Sequence, residues 1–150
     1  MGFKKRAFSA SSFDLIALGA GIVNGELAVC VDARRERIYT AIYRFRGGKA
    51  KKTLQDSLLS FDELMKRIDS DMIFSGDALL TYGDALRKRL GKNAVFLNPS
   101  FWFPRAGSLI HLRNEYPQWL RSVSLRAMTP IYLRNSEAEE KYAGKRRKHS

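Results

Sequence analysis

Leu27-Ala28-Val29-Cys30-Val31-Asp32-Ala33-Arg34-Arg35-Glu36-Arg37-Ile38-Tyr39-Thr40-Ala41-Ile42-Tyr43-Arg44-Phe45-Arg46-Gly47-Gly48 is the stretch on which the fold turns. Leu27 to Val31 is a continuous apolar run, short enough for a buried strand. Asp32 to Glu36 is polar and reads as a hairpin connection. From Arg37 to Arg46 the chain is rich in β-branched and aromatic residues, which suit a pleated surface. Tyr39, Tyr43 and Phe45 recur at period two, the row that a core-facing strand side needs. Gly47-Gly48 then turns the chain again.

Working outward, Ser11 or Ser12 caps a helix reaching about Ala20, with Leu15, Ile16 and Leu18 as its apolar contacts. Lys51 to Gln55 is a third strand, polar enough for a sheet edge. Ser60 and Glu63 form a capping box. Phe61, Leu64, Met65 and Ile68 then follow at helical spacing. Met72 to Phe74 is a short strand. Leu79 to Leu90 is a helix with Leu79, Tyr82, Leu86 and Leu90 inward, stopped by Gly91. Ala94 to Leu97 is expected to be the last strand. Pro104 opens a final helix carrying Ala106, Leu109, Ile110 and Leu112, and Pro117 ends it. The expected fold is α/β, a mixed five-stranded sheet in the order βββαβαβα with helices on both faces. That is the element order of the ribonuclease-H-like lobe duplicated in actin-like ATPases, an analogy that fixes no function.

The chain has 150 residues, one domain's worth. Lys and Arg number 27 against 15 Asp and Glu, a net charge of +12. That exceeds the magnitude of about 2–8 usual for a small domain and points to an anionic partner. Cys30 is the single cysteine, so no internal disulfide and no cysteine-rich zinc site can form. It reads as an inert core thiol. His111 and His149 stand far apart, without metal-motif spacing. The apolar stretch from Leu15 to Val23 is too short to span a membrane. The basic start, Met1 to Arg6, leads into no secretory core. The expected compartment is the cytoplasm, with no membrane contact.

A nuclease of ribonuclease-H-like fold would hold two metal ions on carboxylates, and Asp32 and Asp77 are its candidates. Asp14, in the leading helix, is poorly placed for that. Turn and cap roles explain these carboxylates more simply. An ATPase would need glycines at its phosphate turns; Asp32-Ala33-Arg34-Arg35 has none, and Ser75-Gly76-Asp77 has one. Arg34 and Arg35 are therefore expected at an exposed hairpin tip or a partner contact. Phe101-Trp102-Phe103 either covers an edge of the domain or forms a patch awaiting a partner.

Four segments, in order, resemble the TsaB (YeaZ) family. Val29 to Glu36 with Tyr39 and Tyr43 is similar to its "V-x-x-D-A-R-R-x-E-V-Y" stretch, through Asp32, Ala33, Arg34, Arg35 and Tyr39. Ser11 to Ala17 resembles its "V-S-S-L-E-A-L-A" helix. Gly76, Asp77 and Tyr82 resemble its "G-D-G…Y" turn, with Ala78 in place of the second glycine. Pro130, Tyr132, Leu133 and Arg134 resemble its "P-x-Y-L-R". The family's opening "D-T-S" strand and glycine-rich segment have no counterpart, so the chain resembles the second lobe alone. The organisation expected is a leading segment and inter-lobe helix over 1–22, the lobe over 23–134 and a basic tail over 135–150.

The resemblance implies an actin-like subunit of the machinery that makes N6-threonylcarbamoyladenosine at position 37 of tRNA. It implies a non-catalytic scaffold with no cofactor and no metal. The implied partners are a TsaD-type subunit, a separate first lobe and a TsaE-type ATPase, with tRNA contact and a homodimer also open. The charge supports an alternative, a basic RNA-binding accessory domain. Its contacts would be Arg34, Arg35, Lys49, Lys51, Lys52 and the Lys145-Arg146-Arg147-Lys148 run.

Overall fold

The computed structural model describes residues 6–124. Lys145 to Lys148, and Pro130, Tyr132, Leu133 and Arg134, lie outside the described residues. In chain order the elements are β1 (Ala7–Ser9), α1 (Ser12–Gly19), β2 (Gly25–Asp32), β3 (Arg37–Arg46), β4 (Lys49–Ser60), α2 (Phe61–Met65), β5 (Met72–Ser75), α3 (Leu79–Leu90), β6 (Ala94–Phe96), α4 (Ala106–Glu115) and β7 (Arg121–Val123). The main sheet has the order β4-β3-β2-β5-β6. Its β4-β3-β2 half is antiparallel, and β2, β5 and β6 run parallel.

Side-chain alternation divides the core in two. Ala28 and Cys30 of β2, with Ile38 and Ile42 of β3, face α2 and α3 and pack on Leu64, Leu79 and Leu86. Leu27 and Val29, with Ala41, Tyr43 and Phe45, face α1 and pack on Phe13, Ile16 and Ala17. The row of Tyr39, Tyr43 and Phe45 is thus core-facing as expected, and α1 is part of the lobe's own core. α4 packs behind α1 through buried Ser108 and Leu112.

The structure corrects the expected elements at several points. Ala94–Phe96 is not the last strand: β7 follows and pairs antiparallel with β1, Ala7 opposite Val123, as a separate two-stranded ribbon. β4 is twelve residues long, well beyond Lys51 to Gln55. The capping box at Ser60 forms, with Glu63 accepting from the Ser60 N–H at 2.6 Å. Hydrogen bonds from the Ser60 backbone and hydroxyl hold the Glu63 carboxyl below its usual range. Yet α2 stops at Met65, and Ile68 reaches the same core from the turn beyond. In α4 the apolar residues Leu109 and Ile110 point outward. The Phe101-Trp102-Phe103 run is mostly a cover. Trp102 is half-buried, packs on the first core and donates its indole N–H to Leu97 O at 2.9 Å. Phe103 alone of the three is exposed.

Candidate functional site

The C-terminal ends of β2 and β5 carry the motif residues, and the fold brings most of them together. Open α/β sheets usually bind ligands at this end of their strands. Here the groups hold one another. The Asp77 carboxylate accepts the Asp32 N–H at 3.0 Å. The Asp32 carboxylate accepts the Arg34 N–H at 2.8 Å, and the Arg34 guanidinium sits 3.8 Å from its other oxygen. Arg37 pairs with Glu63 at 3.6 Å, and its Nη2 donates to Leu58 O. Arg34, Arg35 and Glu36 are exposed at the hairpin tip, and all three adopt left-handed backbone, φ 60, 51 and 59. Such a conformation costs non-glycine residues about 1–2 kcal/mol each. Hydrogen bonds from Ala33 N–H to Arg37 O and from Arg37 N–H to Arg34 O close the loop that pins it.

Gly76 is a packing glycine. Its φ is 109, and a Cβ there would overlap the Cys30 carbonyl. The turn rests on β2 rather than opening toward a phosphate, and Ala78 N–H donates to the same carbonyl at 3.2 Å. Tyr82 stacks on Phe61 with centroids 6.0 Å apart. Its phenol is shifted upward by desolvation and then by the nearby Asp32 and Glu36 charges. Tyr39 is half-buried against the α1-side core, away from this turn. Burial pushes the Cys30 thiol up to about 12, opposed by its contact with the Thr40 hydroxyl. It is the inert core thiol that the sequence suggests. His111 is exposed on α4, its ring edge-on to Tyr116. Among the described residues no three His, Cys, Asp or Glu side chains form a group able to hold a metal ion.

A second site was not visible in the sequence. A cleft of about 540 Å³ lies between the start of α1, β4 and the 118–121 segment. Its inner wall is an ion cluster. Lys52 donates to Asp14 at 2.7 Å and reaches Asp56 at 2.5 Å. The Tyr43 hydroxyl donates to Asp14 at 2.7 Å, and the Ser11 hydroxyl donates to Asp56 at 2.6 Å. Burial, then the Asp14 and Asp56 charges, raises the Tyr43 phenol, which keeps it a donor. Lys52 is thereby corrected: its side chain is 11% exposed and occupied by two carboxylates, so it is no surface cation. Asp14, expected to be poorly placed for a metal site, is the one buried charged residue among the described residues.

Two irregularities in β4 build this cluster. Between Thr40–Ser57 and Ile42–Leu54, and again before Tyr43–Lys52, β4 carries one residue more than β3. Each extra residue flips the facing of the strand. Leu54 therefore joins the α2–α3 core, while Lys52 on one side of it meets Asp14 on the α1 face, where Asp56 also contributes. The carboxylate amid the apolar residues of Phe13 to Ile16 was the one sequence signal that could have found the cluster.

No family model matches the chain. It is 25% identical over 137 residues to the tRNA threonylcarbamoyladenosine biosynthesis protein TsaB of Bacillus subtilis, covering 89% of this chain and 58% of that protein. Among solved structures it resembles YeaZ from Pseudomonas aeruginosa, with a TM-score of 0.63, 20% identity, and coverage of 87% of this chain and 60% of that one. An uncharacterized P. aeruginosa protein with similarity to peptidase YeaZ gives a TM-score of 0.59 at 22% identity, over 83% and 57% of the two chains. The chain thus spans less than two thirds of the proteins it matches. The fold is the actin-like, ribonuclease-H-like α/β lobe of these neighbours. Sequence and fold are consistent with a piece of the TsaB/YeaZ family.

Proposed function

We propose that this chain is the second lobe of a TsaB-type subunit and serves tRNA N6-threonylcarbamoyladenosine formation as a non-catalytic scaffold for a TsaD-type partner, in the cytoplasm. The similarity to B. subtilis TsaB over most of the chain supports the pathway. The observation that carries the scaffold role is the state of the motif end. Asp77 is engaged by the Asp32 main chain, Asp32 by Arg34, and Gly76 by packing on Cys30. Residues used to brace one another in a strained, exposed hairpin form a shaped contact surface. They do not leave a general base or a phosphate cradle.

Size-exclusion chromatography with light scattering tests this. The chain is run alone, with a TsaD-type subunit, and with that subunit plus a separately expressed first lobe; a TsaE-type ATPase is then added to any complex. A co-eluting species of the summed mass is expected in at least one mixture with the TsaD-type subunit. A monomer in every mixture would remove the scaffold reading.

A further inference from the structure

We infer that the end of the sheet opposite the motif hairpin is a contact surface for the phosphate backbone of RNA. The inference goes beyond the scaffold reading, because this contact needs no partner subunit.

The surface begins at the β3–β4 turn. Arg46 is the direct cross-strand partner of Lys49, and Arg44 is the partner of Lys51. Like charges placed opposite one another across a sheet are unfavourable. Of these four, Arg44 alone is neutralised within the fold, by Glu26 at 2.5 Å. Arg46, Lys49 and Lys51 are exposed and have no ion pair among the described residues. Arg44 and Arg46 share the sheet face of Ile38 and Ile42, the face that α2 and α3 cover. α2 is five residues long and starts at the far end of β4, beside the motif hairpin. The lower half of the β3–β4 face is therefore left open as a ladder of cations.

Topology brings a second group to the same end. β5 and β6 run parallel to β2, so the turn that precedes Ala94 lies level with the start of β2 and the end of β3. α3 covers the same face and ends there with Lys88 and Arg89, followed by Lys92. All three are exposed, and none has an ion pair among the described residues. Three strand spacings separate this group from the ladder, roughly 15 Å. Asp69 and Asp71, exposed just ahead of β5, are the carboxylates that lie toward this end.

Chemistry favours a polyanion over a protein as the occupant. Lysine is depleted at protein–protein interfaces, whose centres are apolar. This surface is built on Lys49, Lys51, Lys88 and Lys92, with Val23 beside the β3–β4 turn and Val95 on β6 as its scattered exposed apolar residues. Interfaces with nucleic acid are more polar and strongly positive, and phosphate neutralisation relieves the kind of like-charge crowding seen here.

The test uses the full chain and an unmodified tRNA transcript, with affinity read by fluorescence anisotropy across a salt series. Arg46→Glu/Lys49→Glu and Lys88→Glu/Arg89→Glu are each expected to weaken binding about tenfold or more at low salt. Each should also flatten the slope of log affinity against log salt by about 1–2. Arg34→Glu/Arg35→Glu, at the motif end, is expected to stay within about twofold. Circular dichroism checks that these exposed variants remain folded. Wild-type affinity and slope in both sheet-end variants would overturn the inference. So would a loss confined to charge reversal over Lys145 to Lys148. Neither result would touch the scaffold reading, which the chromatography judges separately.

Discussion

The two ends of one sheet handle charge in opposite ways. At the C-terminal ends of β2 and β5, Asp32, Arg34, Arg37, Glu63 and Asp77 are joined in pairs or capped by main-chain N–H groups. At the other end Arg46, Lys49, Lys88, Arg89 and Lys92 have no ion pair among the described residues, and two cations face each other across the ladder. A net charge of +12 therefore says little until it is resolved by position. The arginines that stand out in the sequence, Arg34 and Arg35, sit at the end where charge is balanced. The unremarkable lysines and arginines of a β-turn and a helix end hold the unbalanced charge.

The adjacent lysines of β4 give the sharpest break of that contrast. Lys52→Met strands two partly or fully buried carboxylates and is expected to cost about 3 kcal/mol or more. Lys51→Met, one residue away and exposed, should change stability by less than about 0.5 kcal/mol. Urea denaturation of both variants measures the difference, and equal effects would erase the division into committed and open cations. Gly76→Ala should follow at roughly 2–3 kcal/mol, because a methyl group meets the Cys30 carbonyl at a left-handed φ. A loss below 1 kcal/mol, within the ordinary range for a surface change, would mean the motif turn is looser than its packing implies.

Smaller effects follow. The Cys30 thiol ionises at 9.0 when unperturbed and at about 12 in the fold. Between those values the unfolded chain sheds a proton that the native chain keeps, so stability falls as pH rises through that window. Tyr43, also shifted upward, adds to the fall above its ordinary value of 10.0. Cys30→Ala should show a shallower decline across the same pH range in denaturant titrations, and an unchanged slope would assign the effect elsewhere. Least of all, Lys49→Thr should raise stability by about 0.2–0.5 kcal/mol, because it removes a like-charge pair from the ladder. A loss in thermal melts would show that Lys49 has a structural partner in solution.

Much of this was legible in residues whose chemistry is local. The apolar run at Leu27, the paired glycines at 47 and 48, the capping box at Ser60 and the stop at Gly91 act within a few positions of themselves. The motif end was legible too, since Asp32 ends β2 and Asp77 lies in the turn just after the neighbouring β5. What escaped depends on distant pairing. β1 and β7 are three residues each, too short to show a period, and pair only with each other among the described residues. The Asp14–Lys52–Asp56 cluster needs two β4 irregularities that no residue type announces. Without them Lys52 reads as one more cation in a basic run. In α4, Leu109 and Ile110 suggest a core face, but close approach to α1 selects Ser108 and Leu112 instead.

The β1–β7 ribbon has a practical consequence. Ala7 and Val123 are antiparallel neighbours, so their Cα atoms lie about 5 Å apart. Everything between them can be regarded as one long excursion from a single point of a chain. Such a unit can be spliced into the tip of a host hairpin, its two junctions meeting the host's own strand spacing without a linker. Held by those same two points and pulled, it would part at the three-residue ribbon before the main sheet bears load, like a bag opened at its drawstring.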